Sequence, residues 1–326
     1  MLGVACELSV VVPVFRCTDC LRPLHQRLNE TLDSLEVSYE IILVDDAGGD
    51  GAWEAITELA AIDSRVQGVA LSRNFGQHAA IAAGLSRAEG RWAVVMDCDL
   101  QEPPETIRSL YAKALEGYDI VYTVRARHSV SPLRRLVSNT YYRMLNLLAG
   151  TDFQGYHGTL SMMSRKVLDT YLRLPERERD HFLVLNWLGF RSTEVEYVQL
   201  PRGSGNSSYT IRAMIRQAAA AVLFQTTTFL KWVVYLGFLF AVAGLGFAVY
   251  LVVANIAGSE VPGWTSLAVL TLTIGGTIIL TNGILGLYIG RVFDEVKSRP
   301  LFVIDRTTEE ELRHVTASGP EVPKRV

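Results

Sequence analysis

The sequence contains little cysteine, with four residues among 326. Cys17 and Cys20 form one C-x-x-C pair, and no second pair follows it. A structural zinc site takes about four ligands. Cys6 and His25 could complete this one, but the ligand count argues against zinc. We expect the thiols to stay reduced, as is usual in the cytoplasm.

An excess of basic charge is also missing. The chain has 31 Lys and Arg against 34 Asp and Glu, a net charge of −3. A protein that attracts nucleic acid through its overall charge is clearly basic, so we expect no nucleic-acid partner. Neither G-x-G-x-x-G after the first apolar run nor G-x-x-x-x-G-K-[ST] occurs. Their absence disfavours a dinucleotide enzyme and a P-loop NTPase.

The mean hydropathy of the chain is +0.20, which is high for a wholly soluble protein, and residues 233–289 hold nearly all of the apolar excess. Val233–Ala257 and Leu267–Ile289 are both uncharged. Each run is longer than the ~20 residues that a helix needs to cross the apolar core of a bilayer. We therefore predict two transmembrane helices.

The charges around these runs predict how they are oriented. Gly258–Ser266 carries no Lys or Arg, whereas Lys231 precedes the first run and Arg291 follows the second. By the positive-inside rule both outer flanks are cytoplasmic. Apolar residues recur at helical spacing in Tyr209–Thr228, which favours a helix in the membrane interface.

We accordingly predict a multi-pass protein of the inner (plasma) membrane with four parts. They are a cytoplasmic catalytic domain (1–208), an interfacial amphipathic helix (209–230), a two-helix transmembrane hairpin (231–291) and a cytoplasmic tail (292–326). The tail beyond Ile304 is charged, and we expect it to be loosely held.

Short apolar runs alternate with helical patterns in the N-terminal part. We predict strands at Leu8–Phe15, Tyr39–Val44, Val66–Leu71, Trp92–Met96 and Asp119–Thr123, and helices near 19–35, 52–62, 77–88 and 104–116. This alternation predicts an α/β fold with a mainly parallel sheet and right-handed crossovers. Strands that are apolar throughout predict a sheet covered on both faces.

Acidic residues follow two of these strands. Asp45 and Asp46 follow the second strand, and Asp97, Asp99 and Gln101 follow the fourth. Ligands of such sheets bind beyond the carboxyl ends of the strands, where an unpaired acid is costly unless it binds something. A pair such as Asp97 and Asp99 suits a hard cation and the phosphates that the cation bridges. A D-x-D pair is also compatible with one Asp that caps a helix and another that is merely solvated.

Several stretches resemble glycosyltransferase family 2: VVPVF, VDDAGGDG, LSRNFGQHAAIAAGL and MDCDLQEPPE. Over about residues 7–300 the chain is similar to the polyprenyl-phosphate sugar transferases. These include the dolichyl-phosphate mannose synthases and the bacterial undecaprenyl-phosphate glucosyl- and aminoarabinosyl-transferases. The resemblance implies a GT-A fold, a nucleotide-sugar donor, a polyprenyl (undecaprenyl) phosphate acceptor and Mg²⁺ or Mn²⁺ as cofactor.

The resemblance also implies roles for individual residues. For the nucleotide it implies Pro13, Asp45, Asp46, Arg73 and Asp97; for the metal, Asp97, Asp99 and Gln101; for the acceptor phosphate, Arg125, Arg135, Ser138 and Arg202; and for catalysis, Asp97, Asp99, Arg135 and Arg202. Arginine suits the phosphate role because its planar guanidinium bonds two phosphate oxygens at once. A basic surface facing anionic lipid is the alternative for these arginines.

The sugar is not determined by the sequence. The family turn D-D-G-S appears here as D-D-A-G, and the stretch that often contains S-G-F-R, close to the sugar pocket in relatives, contains Q-G-Y-H-G. The two-span tail favours a UDP-hexose, glucose first, with GDP-mannose as the alternative. Glycines in the apolar runs would permit close helix packing and a homo-oligomer.

Three other functions are less consistent with the sequence. A processive polysaccharide synthase normally shows Q-x-x-R-W followed by several more spans, and neither is present. A nucleotidyltransferase normally carries a glycine-rich phosphate loop after its first strand. A membrane scaffold without catalytic activity would not need acidic strand ends together with arginine-rich loops.

Overall fold

The computed structural model describes residues 6–125, 157–174, 180–200, 228–257 and 263–311. These residues fall into two compact units. The first unit contains 6–125, 157–174, 180–200 and 300–311, and the second contains 228–257 and 263–299.

The first unit is an α/β domain. Its elements are β1 (Leu8–Val14), α1 (Thr18–Asp33), β2 (Tyr39–Asp45), α2 (Ala52–Ile62), β3 (Val66–Leu71), α3 (Gln77–Leu85), β4 (Trp92–Val95), α4 (Thr106–Leu115), β5 (Ile120–Arg125), β6 (His157–Ser164), α5 (Arg165–Arg173), α6 (His181–Trp187), β7 (Ser192–Tyr197) and, after the second unit, β8 (Ile304–Thr307). The five predicted strands and four predicted helices are confirmed within a few residues.

The eight strands form one mixed sheet in the order β7-β5-β6-β4-β1-β2-β3-β8. Strands β1 to β5 and β7 run in one direction, as the prediction of a mainly parallel sheet requires. Strands β6 and β8 run antiparallel to their neighbours. The prediction therefore needs the correction that β6 is inserted between β4 and β5, and that β8 closes the far edge.

Both faces of the sheet are covered by helices, as predicted. Val10 and Val12 of β1 pack with α1, α2 and α4, whereas Val11 packs with α3, α5 and α6. Alternate residues of β1 point to opposite faces, and all of them are buried because each face lies under helices. A continuous apolar run is the sequence signature of such a strand.

Strand β8 corrects the expectation of a loosely held tail. Ile304–Thr307 pairs with β3, and the backbone N–H of Gly68 donates to Oγ1 of the buried Thr308 at 2.9 Å. The guanidinium of Arg306 lies over the ring of Trp53 at 5.0 Å. An edge strand exposes unpaired backbone groups, and β8 satisfies those of β3. The expectation is therefore wrong for these residues.

The second unit consists of two long helices, α7 (Thr228–Ile256) and α8 (Gly263–Val296). Among the described residues one segment, Thr273–Gly290, is long and apolar enough to cross a membrane, and Val233–Gly244 is a shorter apolar stretch. Both predicted spans lie largely within these helices. The pair of transmembrane spans stays a prediction, and residues 209–227 of the predicted interfacial helix lie outside the described residues.

Candidate active site

The predicted nucleotide and metal residues meet at the carboxyl edge of the sheet. Strands β1, β2 and β4 are parallel neighbours, so their carboxyl ends lie together. Pro13 of β1 lies opposite Val44, next to Asp45, and the backbone N–H of Asp46 donates to the carbonyl of Val14 at 3.0 Å. This edge is where parallel sheets bind their ligands.

The two adjacent acids after β2 have different surroundings. Oδ1 and Oδ2 of Asp46 accept the backbone N–H groups of Phe75 and Gly76 at 2.7 and 2.9 Å. Oδ1 of Asp45 accepts the backbone N–H of Gly48 at 3.3 Å. Burial raises the pKa of both carboxyls, and backbone N–H bonds oppose the rise in each, from Gly48 and Ala47 for Asp45 and from Phe75 and Gly76 for Asp46. Asp46 therefore anchors the loop that follows β3.

Arg73 lies in this anchored loop. Its side chain is exposed, and its guanidinium lies over the ring of Phe75, 4.2 Å from the centroid. Because Asp46 holds the backbone of Phe75, the ring that supports Arg73 is fixed in turn. The structure thus places the predicted nucleotide-binding cation beside the acidic turn after β2.

The D-x-D segment forms a tight turn after β4. Oδ1 of Asp99 accepts the backbone N–H of Gln101 at 3.1 Å, a local bond that Asp favours in turns. Leu100 between them has φ of 58°, a left-handed conformation that is uncommon for a residue with a Cβ. Such conformations persist where the surrounding structure enforces them, and they are frequent at functional sites.

Gln101, the third predicted metal ligand, is held by the segment after β7. Its Oε1 accepts Nε2 of Gln199 at 2.5 Å, and its carbonyl accepts the backbone N–H of Leu200 at 2.9 Å. An amide oxygen has two lone pairs, so this bond leaves Oε1 able to meet a cation.

Asp97 is contacted by two neutral side chains that the sequence analysis did not single out. Nε2 of Gln77, at the start of α3, donates to Oδ1 at 2.7 Å. Oγ1 of Thr159, on β6, donates to Oδ2 at 2.8 Å. Both oxygens of this predicted catalytic carboxylate are therefore oriented by protein donors.

A buried carboxyl, that of Glu102, lies behind the turn. Oε2 of Glu102 accepts the backbone N–H of Leu160 at 2.8 Å, and Oε1 accepts the hydroxyl of Tyr197 at 3.2 Å. Burial, followed by the charge of Asp97, raises the pKa of Glu102 to about 7. Gly158 is required here because a Cβ on it would lie 2.1 Å from Oε1.

The predicted acceptor-phosphate residues are only partly described. Arg125 ends β5 opposite Tyr197, and its guanidinium opposes the rise that burial causes in the pKa of Tyr197. Arg135, Ser138 and Arg202 lie outside the described residues. Their roles toward the acceptor remain predictions.

The donor set fits a hard divalent cation that substrate phosphates also bind. No group of three or more His, Cys, Asp or Glu among the described residues could hold a metal by itself. The turn offers two carboxylates and an amide oxygen instead, from Asp97, Asp99 and Gln101. Mg²⁺ characteristically takes one or two carboxylates together with phosphate oxygens, so this smaller set is the expected one.

The additional residues of the site come mostly from elements that the sequence analysis missed. Thr159 lies on β6, Tyr197 ends β7, and Gln199 lies in the segment that follows β7. Gln77 and Glu102 could have been identified from the sequence, because they belong to the stretches LSRNFGQHAAIAAGL and MDCDLQEPPE that carried the resemblance.

Comparison with known proteins gives consistent matches. The model of the family "Glycosyl transferase family 2" matches residues 9–172. An uncharacterized glycosyltransferase of Bacillus subtilis is 35% identical over 305 residues, covering 92% of this chain and 94% of the relative. The undecaprenyl-phosphate 4-deoxy-4-formamido-L-arabinose transferase of Klebsiella pneumoniae is 34% identical over 311 residues, covering 93% and 94%.

Among solved structures, glucosyl-3-phosphoglycerate synthase of Mycobacterium tuberculosis, in complex with Mn²⁺, UDP and phosphoglyceric acid, matches with a TM-score of 0.48. It is 18% identical, and the match covers 68% of this chain and 78% of that one. The two curated relatives match over more than nine tenths of the chain, so their similarity extends beyond the α/β domain into the apolar helices.

Proposed function

Because the chain belongs to glycosyltransferase family 2 and is a glycosyltransferase, we propose that it transfers a sugar from a nucleotide diphosphate to undecaprenyl phosphate. The product is a sugar linked to the lipid through one phosphate. In this proposal the reaction takes place at the cytoplasmic face of the inner membrane, where the nucleotide sugar is available.

The length of the match carries the acceptor assignment. A relative named for undecaprenyl phosphate aligns over 93% of this chain, and that share includes much of the apolar helices. A lipid acceptor keeps its phosphate at the membrane surface. A catalytic domain joined to membrane helices suits such an acceptor better than it suits a soluble one.

The proposed donor is a UDP-hexose, with UDP-glucose first. We propose that Asp45, Pro13 and Arg73, at the ends of β1 and β2 and in the loop after β3, hold the base and ribose. GDP-mannose is the alternative. UDP-4-deoxy-4-formamido-L-arabinose is a further candidate because of the relative's name.

Asp99, Gln101 and Asp97 would hold a divalent cation together with the diphosphate. Bound there, the cation supplies positive charge to the leaving nucleoside diphosphate. The protein's own part is to keep these oxygens in place, through the turn at Leu100 and through Gln199.

The chemistry we propose is one inverting displacement. A phosphate oxygen of the acceptor attacks the anomeric carbon and forms the new C–O bond, while the bond from that carbon to the diphosphate breaks on the opposite face. A phosphate monoester, with a second pKa near ~6, is already largely dianionic at neutral pH. The site therefore needs positioning and cationic groups rather than a strong general base. Arg125, Arg135, Ser138 and Arg202 are the proposed acceptor contacts.

The test uses the full-length chain purified in detergent. It is incubated with undecaprenyl phosphate, Mg²⁺ and a panel of radiolabelled nucleotide sugars, beside Asp99→Ala and the control Asp305→Ala, an exposed acid on β8. We expect one donor to label the organic phase, Asp99→Ala to abolish the labelling and Asp305→Ala to keep it. If nucleotide still binds but no donor labels the lipid, the acceptor assignment is wrong.

A further inference from the structure

We infer that Thr159 and Gln77 are positioning residues of the transfer reaction, acting through Asp97. The inference rests on the proposed function, because it assigns these two side chains a task at that same site. Neither residue is among those implied by the family resemblance. Both are placed by the fold at hydrogen-bond distance from the first carboxylate of the D-x-D turn.

The pairing of β4 with β6 brings Thr159 to Asp97. The antiparallel register pairs Val94 with Met162 and Val95 with Ser161. Continued for two residues, that register sets Thr159 opposite Asp97, where their side chains meet across the strands. The hydroxyl of Thr159 donates to Oδ2 at 2.8 Å.

Gln77 reaches the other oxygen through a loop that Asp46 holds. Asp46 binds the backbone N–H of Gly76, and α3 begins at the next residue, Gln77. The amide of Gln77 donates to Oδ1 of Asp97 at 2.7 Å. Because a carboxylate oxygen only accepts, it is the NH₂ side of this amide that must face Asp97. The acid after β2 is thereby connected to the acid after β4.

The backbone around Thr159 is held by hydrogen bonds to a buried carboxylate. Leu160, the next residue on β6, donates its backbone N–H to the buried carboxyl of Glu102. The absence of a side chain on Gly158 leaves room for that carboxyl. The backbone of Thr159 and Leu160 is thus held by Glu102, which fixes the position from which the Thr159 hydroxyl reaches Asp97.

The neutrality of both donors is the informative feature. A Lys or Arg in place of Gln77 or Thr159 would orient Asp97 equally well, but it would also cancel the charge that attracts a divalent cation. A hydroxyl and an amide fix the carboxylate without adding positive charge at these two positions. This arrangement suits a carboxylate that acts on a metal–diphosphate complex.

The test compares substitutions in the full-length protein. Thr159→Val removes the hydroxyl at nearly constant shape, and Thr159→Ser restores it. Gln77→Met removes the exposed amide, and Gln77→Lys replaces it with a cation. The matched control is Thr170→Val on α5, whose hydroxyl donates to the carbonyl of Lys166 in the same helix. We measure kcat and KM for the donor found above, Mn²⁺ binding in the presence of UDP by electron paramagnetic resonance, and melting temperature.

Loss of a hydrogen-bond partner of a ligating group typically costs about 10- to 100-fold in metal affinity or activity. We expect Thr159→Val and Gln77→Met to lower kcat and weaken Mn²⁺ binding by about that factor. Thr159→Ser should recover most of the loss, and Gln77→Lys should weaken Mn²⁺ binding more than Gln77→Met does. The melting temperature of Gln77→Met should match that of Thr170→Val, since Gln77 is exposed.

The inference is overturned if Thr159→Val and Gln77→Met match Thr170→Val in kcat and Mn²⁺ binding. It is also overturned if Thr159→Ser loses as much as Thr159→Val, because the hydroxyl would then not be the group that matters. Failure of the proposed function looks different. In that case the unsubstituted protein labels no lipid, while the Mn²⁺ measurements still rank the variants.

Discussion

Two adjacent carboxylates can carry separate tasks, and Asp45 and Asp46 illustrate how. Both are buried, but both carboxylate oxygens of Asp46 accept backbone N–H groups of the loop after β3. Asp45 accepts the backbone N–H of Gly48 over a longer distance. A sequence shows only the pair of acids. Which of the two acids holds the loop depends on which side chain points toward it, and this is determined by the fold.

This difference predicts opposite effects of two alanine substitutions. Asp46→Ala leaves two backbone N–H groups without their acceptor and should destabilise the domain by about 1–3 kcal/mol. Asp45→Ala removes a carboxylate whose pKa is raised by burial and whose backbone partners, Ala47 and Gly48, remain accessible to water, so it should destabilise the domain less than Asp46→Ala does. Because Asp45 is proposed to bind the nucleotide, the substitution should raise the donor KM about tenfold or more. Melting temperature and donor KM, measured on both variants, check this. A lower melting temperature for Asp45→Ala than for Asp46→Ala would contradict it.

His181 makes stability depend on pH. Its ring is buried, with Nε2 3.1 Å from Oγ of Ser161, and the ring of Tyr171 and His78 lie nearby. Burial, helped by His78, lowers its pKa to about 3 from 6.5. Between these values the folded state binds fewer protons at this site than the unfolded state does. Its contribution is therefore complete above pH 6.5 and is lost as the pH falls toward 3.

The matching prediction concerns His181→Leu. Below pH 6.5 the histidine contributes a slope of up to about 1.4 kcal/mol per pH unit, and leucine contributes none. We expect the stability of the variant to fall less steeply than that of the original protein between pH 6.5 and 5. Unfolding midpoints followed by tryptophan fluorescence at several pH values measure both slopes. Parallel slopes would show that His181 is not neutral in the folded protein.

At the scale of elements, the strands that the sequence predicts are the ones that are buried on both faces of the sheet. Strands β1 to β4 lie inside the sheet under helices on both faces, and each is a short apolar run in the sequence. Strand β7 lies at an edge, and STEVEY alternates exposed with half-buried residues until Tyr197. Strand β6 begins His-Gly-Thr, a start that does not favour a strand. Its place was determined by pairing with β4, a contact distant in sequence.

The same reasoning explains what was found of the site. The acids at the ends of β2 and β4 follow strands that the sequence predicts, so Asp45, Asp46, Asp97 and Asp99 were recognised. The side chains that hold Asp97 were not recognised, because Thr159 comes from β6 and Gln77 follows a loop whose course depends on Asp46. Hydrogen bonds across long sequence separations leave no local pattern.

Strand β8 provides a prediction at this scale. Thr308→Val removes the acceptor of the backbone N–H of Gly68, which is buried between Ile56 and Thr308. An unsatisfied buried N–H costs about 1–3 kcal/mol, so the α/β domain should melt at a lower temperature. Thr170→Val serves as the control, since its helix keeps all its backbone bonds. An unchanged melting temperature for Thr308→Val would mean that the bond between Gly68 and Thr308 contributes little to the domain.

At the scale of the whole molecule, the position of the apolar helices in the chain limits how they can cross a membrane. The apolar helices α7 and α8 are inserted between β7 and β8, two strands of one sheet. Both ends of the inserted segment therefore connect to the same domain. If the helices cross the membrane, they must do so an even number of times, because β7 and β8 are on the same side. Two spans satisfy this condition, whereas a single span does not.

That argument yields a topology prediction. In the described residues Thr273–Gly290, which largely overlaps the second predicted span, meets the requirements of length and hydropathy. The even number then requires a partner in α7. The connection near Ser259 should then face the outside, while the tail after Arg299 stays inside. We expect Ser259→Cys, in a chain with its four cysteines replaced by alanine, to react with a membrane-impermeant maleimide in intact cells. Ser318→Cys should react only after the cells are opened. Labelling of both positions in intact cells, or of neither, would rule out the hairpin, and transfer activity of the cysteine-free chain confirms that it is folded.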